Sequence, residues 1–142
     1  MTARDLMTPE PASCTPDTPI PDVARLMVQC DCGQIPVVEH DDRKKVVGVV
    51  TDRDIVCRTI AENRSPLELL AESVMSSPAV TVADTSDADD VMRVMEKHQI
   101  RRVPVVNQNG ELCGIVSQAD IARHRSSREA GELVRDVSAP GR

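Results

Sequence analysis

Apolar positions fall along this chain in two patterns. Val23, Leu26, Met27 and Cys30 are spaced i, i+3, i+4, i+7, which is one face of an amphipathic helix. Ile35-Pro36-Val37-Val38 and residues 46–50 are short unbroken apolar runs, the pattern of strands buried on both faces. Prolines at 9, 11, 16, 19 and 21 forbid a regular helix over that stretch and predict an extended entry. Gly33 is expected to end the first helix. Thr51 is expected to open a second helix running to about Ile60, and Ser65-Pro66-Leu67-Glu68 has the form of a third helix start.

The pattern then begins again. Residues 70–76 echo residues 2–8, and Pro78 echoes Pro9. Val91, Val94, Met95 and His98 repeat the first helical face, which puts Cys30 and His98 at equivalent core positions. Val103-Pro104-Val105-Val106 repeats Ile35-Pro36-Val37-Val38. Residues 23–38 match 91–106 at six of 16 positions, and 48–55 match 114–121 at four of eight. The second loop, Asn107-Gln108-Asn109-Gly110, carries a tight hairpin signal, so its flanking strands should pair antiparallel. The reading is an α/β (α+β) chain of two tandem β-α-β-β-α repeats that pack face to face. The first repeat spans 1–68 and the second 69–130, with a C-terminal tail over 131–142 that is expected to fray.

Composition narrows the function classes. The 142 residues carry a net charge of −6, which argues against a basic nucleic-acid face. There is no Phe, Trp or Tyr, so no platform on which single-stranded bases could stack. No run approaches the length that crosses a bilayer, and the start lacks an apolar signal core; a cytoplasmic protein is expected. The five cysteines then read as reduced thiols. Cys30-Asp31-Cys32 supplies two ligands where zinc needs about four, so no metal site is assigned and Cys30 reads as a small buried hydrophobe. No nucleophile–base pair or glycine-rich phosphate loop is present, and the chain reads as no enzyme.

The repeated chemistry lies in Gly48-Val49-Val50-Thr51-Asp52-Arg53-Asp54-Ile55 and Gly114-Ile115-Val116-Ser117-Gln118-Ala119-Asp120-Ile121. Each glycine opens a strand where a side chain would obstruct close approach. A hydroxyl residue follows at the strand-to-helix turn, where unpaired N–H groups favour an anion. The aspartate three positions on offers acceptors suited to a vicinal diol such as ribose. A capping box is the simpler use of the same residues, and it is compatible with binding.

These motifs, with Met-Thr/Ser-x-Pro at each repeat start and the Pro-Val-Val strands, make the chain resemble a tandem pair of cystathionine-β-synthase (CBS) domains, over about residues 2–126. The resemblance implies one module with pseudo-twofold symmetry and ligand clefts between its sheets. It implies a regulatory or sensor role, binding an adenosine-containing ligand: AMP, ADP, ATP, NAD or S-adenosylmethionine. No cofactor is required beyond that ligand, and a homodimer and an unidentified regulated protein are the implied partners. Asp54 and Asp120 would hold ribose, and Thr51 and Ser117 ribose or phosphate. The backbone at Ser13-Cys14 and Val80-Thr81 would read adenine edges. Ile35-Pro36 and Val103-Pro104, with the residues just before each proline, would face the cleft. There Arg101 and Arg102 stand in the second copy against Gly33 and Gln34 in the first, so the Asp120 copy is expected to dominate nucleotide affinity. The alternative is a ligand-free scaffold on the same fold.

Overall fold

The computed structural model describes residues 1–40, 42–124 and Val137. In chain order the elements are α1 (Ala3–Leu6), β1 (Thr8–Pro9), α2 (Ile20–Cys30), β2 (Gln34–Val38), β3 (Val46–Thr51) and α3 (Asp52–Arg58). They continue with α4 (Ala71–Val74), β4 (Val82–Ala83), α5 (Ala88–His98), β5 (Arg102–Val106), β6 (Leu112–Ser117) and α6 (Gln118–His124). They form two compact units, a central one of Ala12–Ala79 and a split one of Met1–Pro11 with Val80–Arg142.

The central unit is built on the antiparallel hairpin β2–β3. A parallel bridge from Cys14 to Val37 and an antiparallel bridge from Ser76 to Val49 extend it on either side. The split unit has the same plan with fuller strands, in the order β1-β6-β5-β4. The hairpin expected at Asn109-Gly110 forms, with Gly110 at φ 81°. Strand alternation sorts the side chains. Ile35, Val37 and Val50 enter the central core with Ile20, Val23, Met27, Ala71 and Val74. Val103, Val105 and Val116 enter the split core with Leu6, Val91, Met95 and Ile121. Most of these side chains are β-branched or short, and flexible methionines fill the remaining gaps in a chain without aromatics.

The opening segment of each repeat lies on a glycine-bearing strand. Thr8 and Pro9 pair with Ile115 and Gly114 of β6. Ser76 exchanges two backbone hydrogen bonds with Val49 of β3, at 2.8 and 3.0 Å. Arg4 also pairs with Asp84 at 2.5 Å. The compact units therefore have different boundaries from the sequence repeats, since Met1–Pro11 belongs with the chain after Val80 and residues 69–79 belong with the central unit.

Three expectations need correction. The helix α2 ends at Cys30 with Asp31 in the left-handed conformation, φ 51°, and Gly33 does not cap it. Gly33 instead leaves room for the Asp52 carboxylate, which lies 2.8 Å from where a Cβ would stand. Cys30 is exposed, as is His98, because the core under each helix stops at Met27 or Met95, one turn before the helix end. Ser65-Pro66-Leu67-Glu68 gives only a 3-10 turn over Pro66–Glu68, capped by the Ser65 hydroxyl. The chain then extends, because Leu69 accepts a hydrogen bond from Ile20 N–H and Leu70 bridges Pro19. The fraying expected of 131–142 falls outside the described residues, apart from Val137, which is helical and buried.

Gly48 allows the close pairing at Ser76. A Cβ there would stand 2.8 Å from the Ser76 carbonyl oxygen and 2.9 Å from the Met75 sulfur. Gly48→Ala is expected to cost about 1–3 kcal/mol of stability through this overpacking. Denaturant unfolding followed by circular dichroism measures it; a loss under about 0.5 kcal/mol would show that the strand pair yields freely.

Candidate functional site

Side chains on the face of each hairpin away from its core alternate with the core positions. In the central unit Gln34 and Pro36 of β2 therefore share a face with their partners Thr51 and Val49 of β3. In the split unit Arg102 and Pro104 share a face with Ser117 and Ile115. Each face ends at a helix start, and the two starts are built alike. Asp54 N–H donates to Thr51 Oγ1 at 3.0 Å while Thr51 N–H donates back to Asp54 Oδ2 at 3.0 Å. Asp120 N–H donates to Ser117 Oγ at 3.2 Å and Ser117 N–H to Asp120 Oδ2 at 2.9 Å. Both are complete capping boxes, so the simple use of these residues is realised.

Capping does not exhaust the carboxylates. Ser76 Oγ donates to Asp54 at 3.3 Å, and Thr8 Oγ1 donates to Asp120 Oδ1 at 3.3 Å. An arginine one turn along each helix completes the set. Arg123 pairs with Asp120, while Arg58 Nε lies 4.0 Å from Asp54 Oδ1. Arg58 also donates to the carbonyls of Val74 and Met75, at 3.0 and 2.7 Å, and so fixes the segment that carries Ser76. The two acids differ in access: 15% of the Asp54 side chain is exposed and 4% of that of Asp120. Thr8, Ser76, Arg58 and Arg123 were not among the residues singled out in the sequence. The signal for the first two was present, since Thr8 and Ser76 are hydroxyl residues at equivalent places in the repeated opening segment.

The remaining site residues divide. Arg101 and Arg102 lie beside the Ser117 helix start: Arg102 pairs with Ser117 across the strands, and Gln118 N–H donates to the Arg101 carbonyl at 3.1 Å. Their guanidinium groups make no hydrogen bond or ion pair among the described residues. Ile35 and Val103 do not line the site face, because both are core residues of their own units. Pro36 and Pro104 are buried on the opposite side of the strand. The Cys14 backbone is already engaged in the sheet: its N–H donates to the Pro36 carbonyl and its carbonyl accepts from Val38 N–H, at 3.0 and 2.8 Å, which leaves only a second lone pair of that carbonyl for a ligand. Ser13 makes no backbone–backbone bond among the described residues. Val80 and Thr81, its counterparts just before β4, are half-buried.

The thiols form no centre. Cys14 is buried, which pushes its pKa up to about 12. Burial also raises that of Cys113. Cys32 donates to the Gln34 carbonyl at 3.6 Å. Among the described residues no group of three or more His, Cys, Asp or Glu side chains is arranged to hold a metal ion. Among them, too, no helix is long and apolar enough to cross a membrane.

Two hairpins, each extended by a single flanking pairing on either side and each ending in a hydroxyl-acid helix start, are found in a family of known proteins. The CBS domain model matches residues 3–58 and again 71–127, and the chain belongs to the CBS domain family. The CBS domain-containing protein YhcV of Bacillus subtilis is 40% identical over 136 residues, which is 95% of this chain and 94% of that protein. Hypoxic response protein 1 of Mycobacterium tuberculosis is 33% identical over 98% of this chain and 95% of its own length. A crystal structure of Hypoxic Response Protein I with two coordinated zinc ions superposes with a TM-score of 0.79 at 35% identity, over 89% of this chain and all of that one. A CBS domain protein of Pyrobaculum aerophilum complexed with AMP gives a TM-score of 0.79 at 32% identity, over 94% of this chain and 98% of that one.

Thiol reactivity follows from burial. At pH 8 iodoacetamide is expected to modify Cys30 and Cys57, which are exposed, and to leave Cys14 untouched until the protein is denatured. Mass spectrometry of the labelled peptides reads the outcome; native labelling of Cys14 would show that its segment opens. The sign for stability follows from the raised pKa. The Cys14 thiol favours the fold fully below about pH 9, and that contribution falls between pH 9 and 12 as the unfolded chain ionises first.

Proposed function

We propose that this chain is a non-enzymatic regulatory module that binds an adenine nucleotide, with AMP as its reference ligand. The observation that carries the reading is the duplication, in two compact units, of a carboxylate with hydroxyl donors around it at a strand-to-helix turn. A ribose diol can donate to the same carboxylate oxygens, replacing the weak 3.3 Å bonds from Ser76 or Thr8 with its own. Ser13 and Thr81 supply backbone groups for the adenine edge, and Arg101 and Arg102 meet the phosphate. The AMP complex of the Pyrobaculum aerophilum protein supports the choice of ligand. The bound nucleotide acts as a signal: it shifts a population of shapes or partners by its differential affinity.

Thermal unfolding with an extrinsic dye, in the presence of AMP, ADP, ATP, NAD or S-adenosylmethionine, tests the reading. AMP is expected to raise the midpoint, and Asp54→Ala with Asp120→Ala together to abolish the shift. At 100 times the dissociation constant the ligand should add about 2.7 kcal/mol of stability. No shift with any compound would leave the ligand-free scaffold as the function.

A homodimer belongs to the same proposal. Among the described residues, apart from Met1, the large apolar side chains left exposed are Val28, Val56, Ile60 and Leu67, all in the central unit. A twofold pair of chains could cover such side chains with its own copy. Light scattering at tens of micromolar is expected to give twice the chain mass, and a monomer mass would refute it.

A further inference from the structure

We propose that the two sites have opposite polarity. The split unit's site takes phosphorylated adenosine. The central unit's site takes an adenosine derivative that carries hydrogen-bond donors or positive charge where the nucleotide carries phosphate. The inference rests on the nucleotide-module reading and assigns a ligand class to each copy.

Equivalent backbone bonds place unlike side chains at the two helix starts. In the split unit Gln118 N–H donates to the Arg101 carbonyl; in the central unit Asp52 N–H donates to the Gly33 carbonyl, at 2.9 Å. Arginine and glutamine in one copy thus stand where glycine and aspartate stand in the other. The next position on the strand continues the contrast, since Arg102 pairs with Ser117 and Gln34 with Thr51. With the arginine that pairs with each acid counted, the split site has Arg101, Arg102 and Arg123 against Asp120, and the central site has Arg53 and Arg58 against Asp52 and Asp54.

Two unsatisfied groups point the same way. Gln118 Nε2 is buried without a partner, a donor beside the arginines that lacks an acceptor. Gln34 Oε1 is buried without a partner, an acceptor beside Thr51 that lacks a donor. Buried polar atoms are nearly always paired, so each orphan amide is a group a ligand can bond. Phosphate oxygens are acceptors and suit Gln118 beside the two arginines. In the central unit they would meet Asp52 as a like charge. A hydroxyl, an amine or a sulfonium-bearing chain suits the central site instead.

Calorimetric titration of the full chain tests this with AMP, adenosine and S-adenosylmethionine as probes. The wild type is expected to bind one AMP per chain tightly. With AMP saturating, it should still take up one equivalent of adenosine or S-adenosylmethionine. Arg101→Gly with Arg102→Gln gives the split unit the central unit's residues and should weaken AMP by about tenfold or more. Gly33→Arg with Asp52→Gln gives the central helix start the arginine and glutamine of the split unit and should create a second AMP site. None of the four positions is buried and the carboxylate that crowds Gly33 is removed in the same variant, so these variants should fold, and dye melting checks it. Two equal AMP sites in the wild type, no uptake beyond AMP, or a central graft that still binds one AMP would each overturn the inference and leave the nucleotide module standing. Failure of every adenine compound to bind the wild type would instead overturn the proposed function, and the inference with it.

Discussion

The structure depends on two carboxylates, Asp54 and Asp120. Each closes a capping box on a helix of only seven residues, α3 or α6, too short to persist on its own caps and propensity. Each also takes a hydroxyl from a segment far away in sequence: Ser76 lies 22 residues from Asp54, and Thr8 lies 112 from Asp120. One acid therefore orients the helix, ends the strand before it and anchors the opening segment of a repeat. This explains why aspartate serves where a capping box ordinarily prefers glutamate. The shorter side chain leaves its second oxygen over the strand end, within reach of a hydroxyl that comes in along the glycine strand.

The glycines and these acids act as one device. Gly48 and Gly114 let Met75-Ser76 and Met7-Thr8 lie directly against β3 and β6, and only that proximity brings each hydroxyl to its carboxylate. In the proposed function a ligand diol competes for the same oxygens. Binding at the acid would then be coupled to how firmly an opening segment is held, through a contact that the fold already contains. Arg58, which grips the carbonyls of Val74 and Met75, limits how far the central segment can respond.

Much of this was legible in the residues. Repetition of whole motifs in one order gave the architecture, and the short unbroken apolar runs at residues 35–38 and 103–106 gave β2 and β5. The helical period gave α2 and α5 but overran them. Cys30 falls on the right angular face, yet the core beneath ends at Met27, and no periodicity reports where a neighbour stops. Gly33 was misleading because a left-handed cap tolerates Asp31, while the glycine answers to a carboxylate 19 positions along the chain. Alternation should have excluded Ile35 and Val103 from the site, since a strand residue cannot serve the core and the opposite face together. Thr8 and Ser76 were visible as repeated hydroxyls, but what they touch depends on a strand pairing that only the assembled fold reveals.

The makeup of the split unit has a consequence for how the chain is born. Synthesis delivers Met1–Pro11 before the central unit, but its strand partner β6 does not emerge until roughly a hundred residues later. In the interval the central unit, continuous in sequence from Ala12 to Ala79, has every residue of its own core. The nascent chain therefore meets its folding problems in a fixed order. The middle can close on the ribosome, while Met1–Pro11 waits as an unpaired strand with Leu6 and Met7 uncovered, a segment for a chaperone to hold. Any fusion to the leading end lengthens the wait and loads the segment that must still find its place.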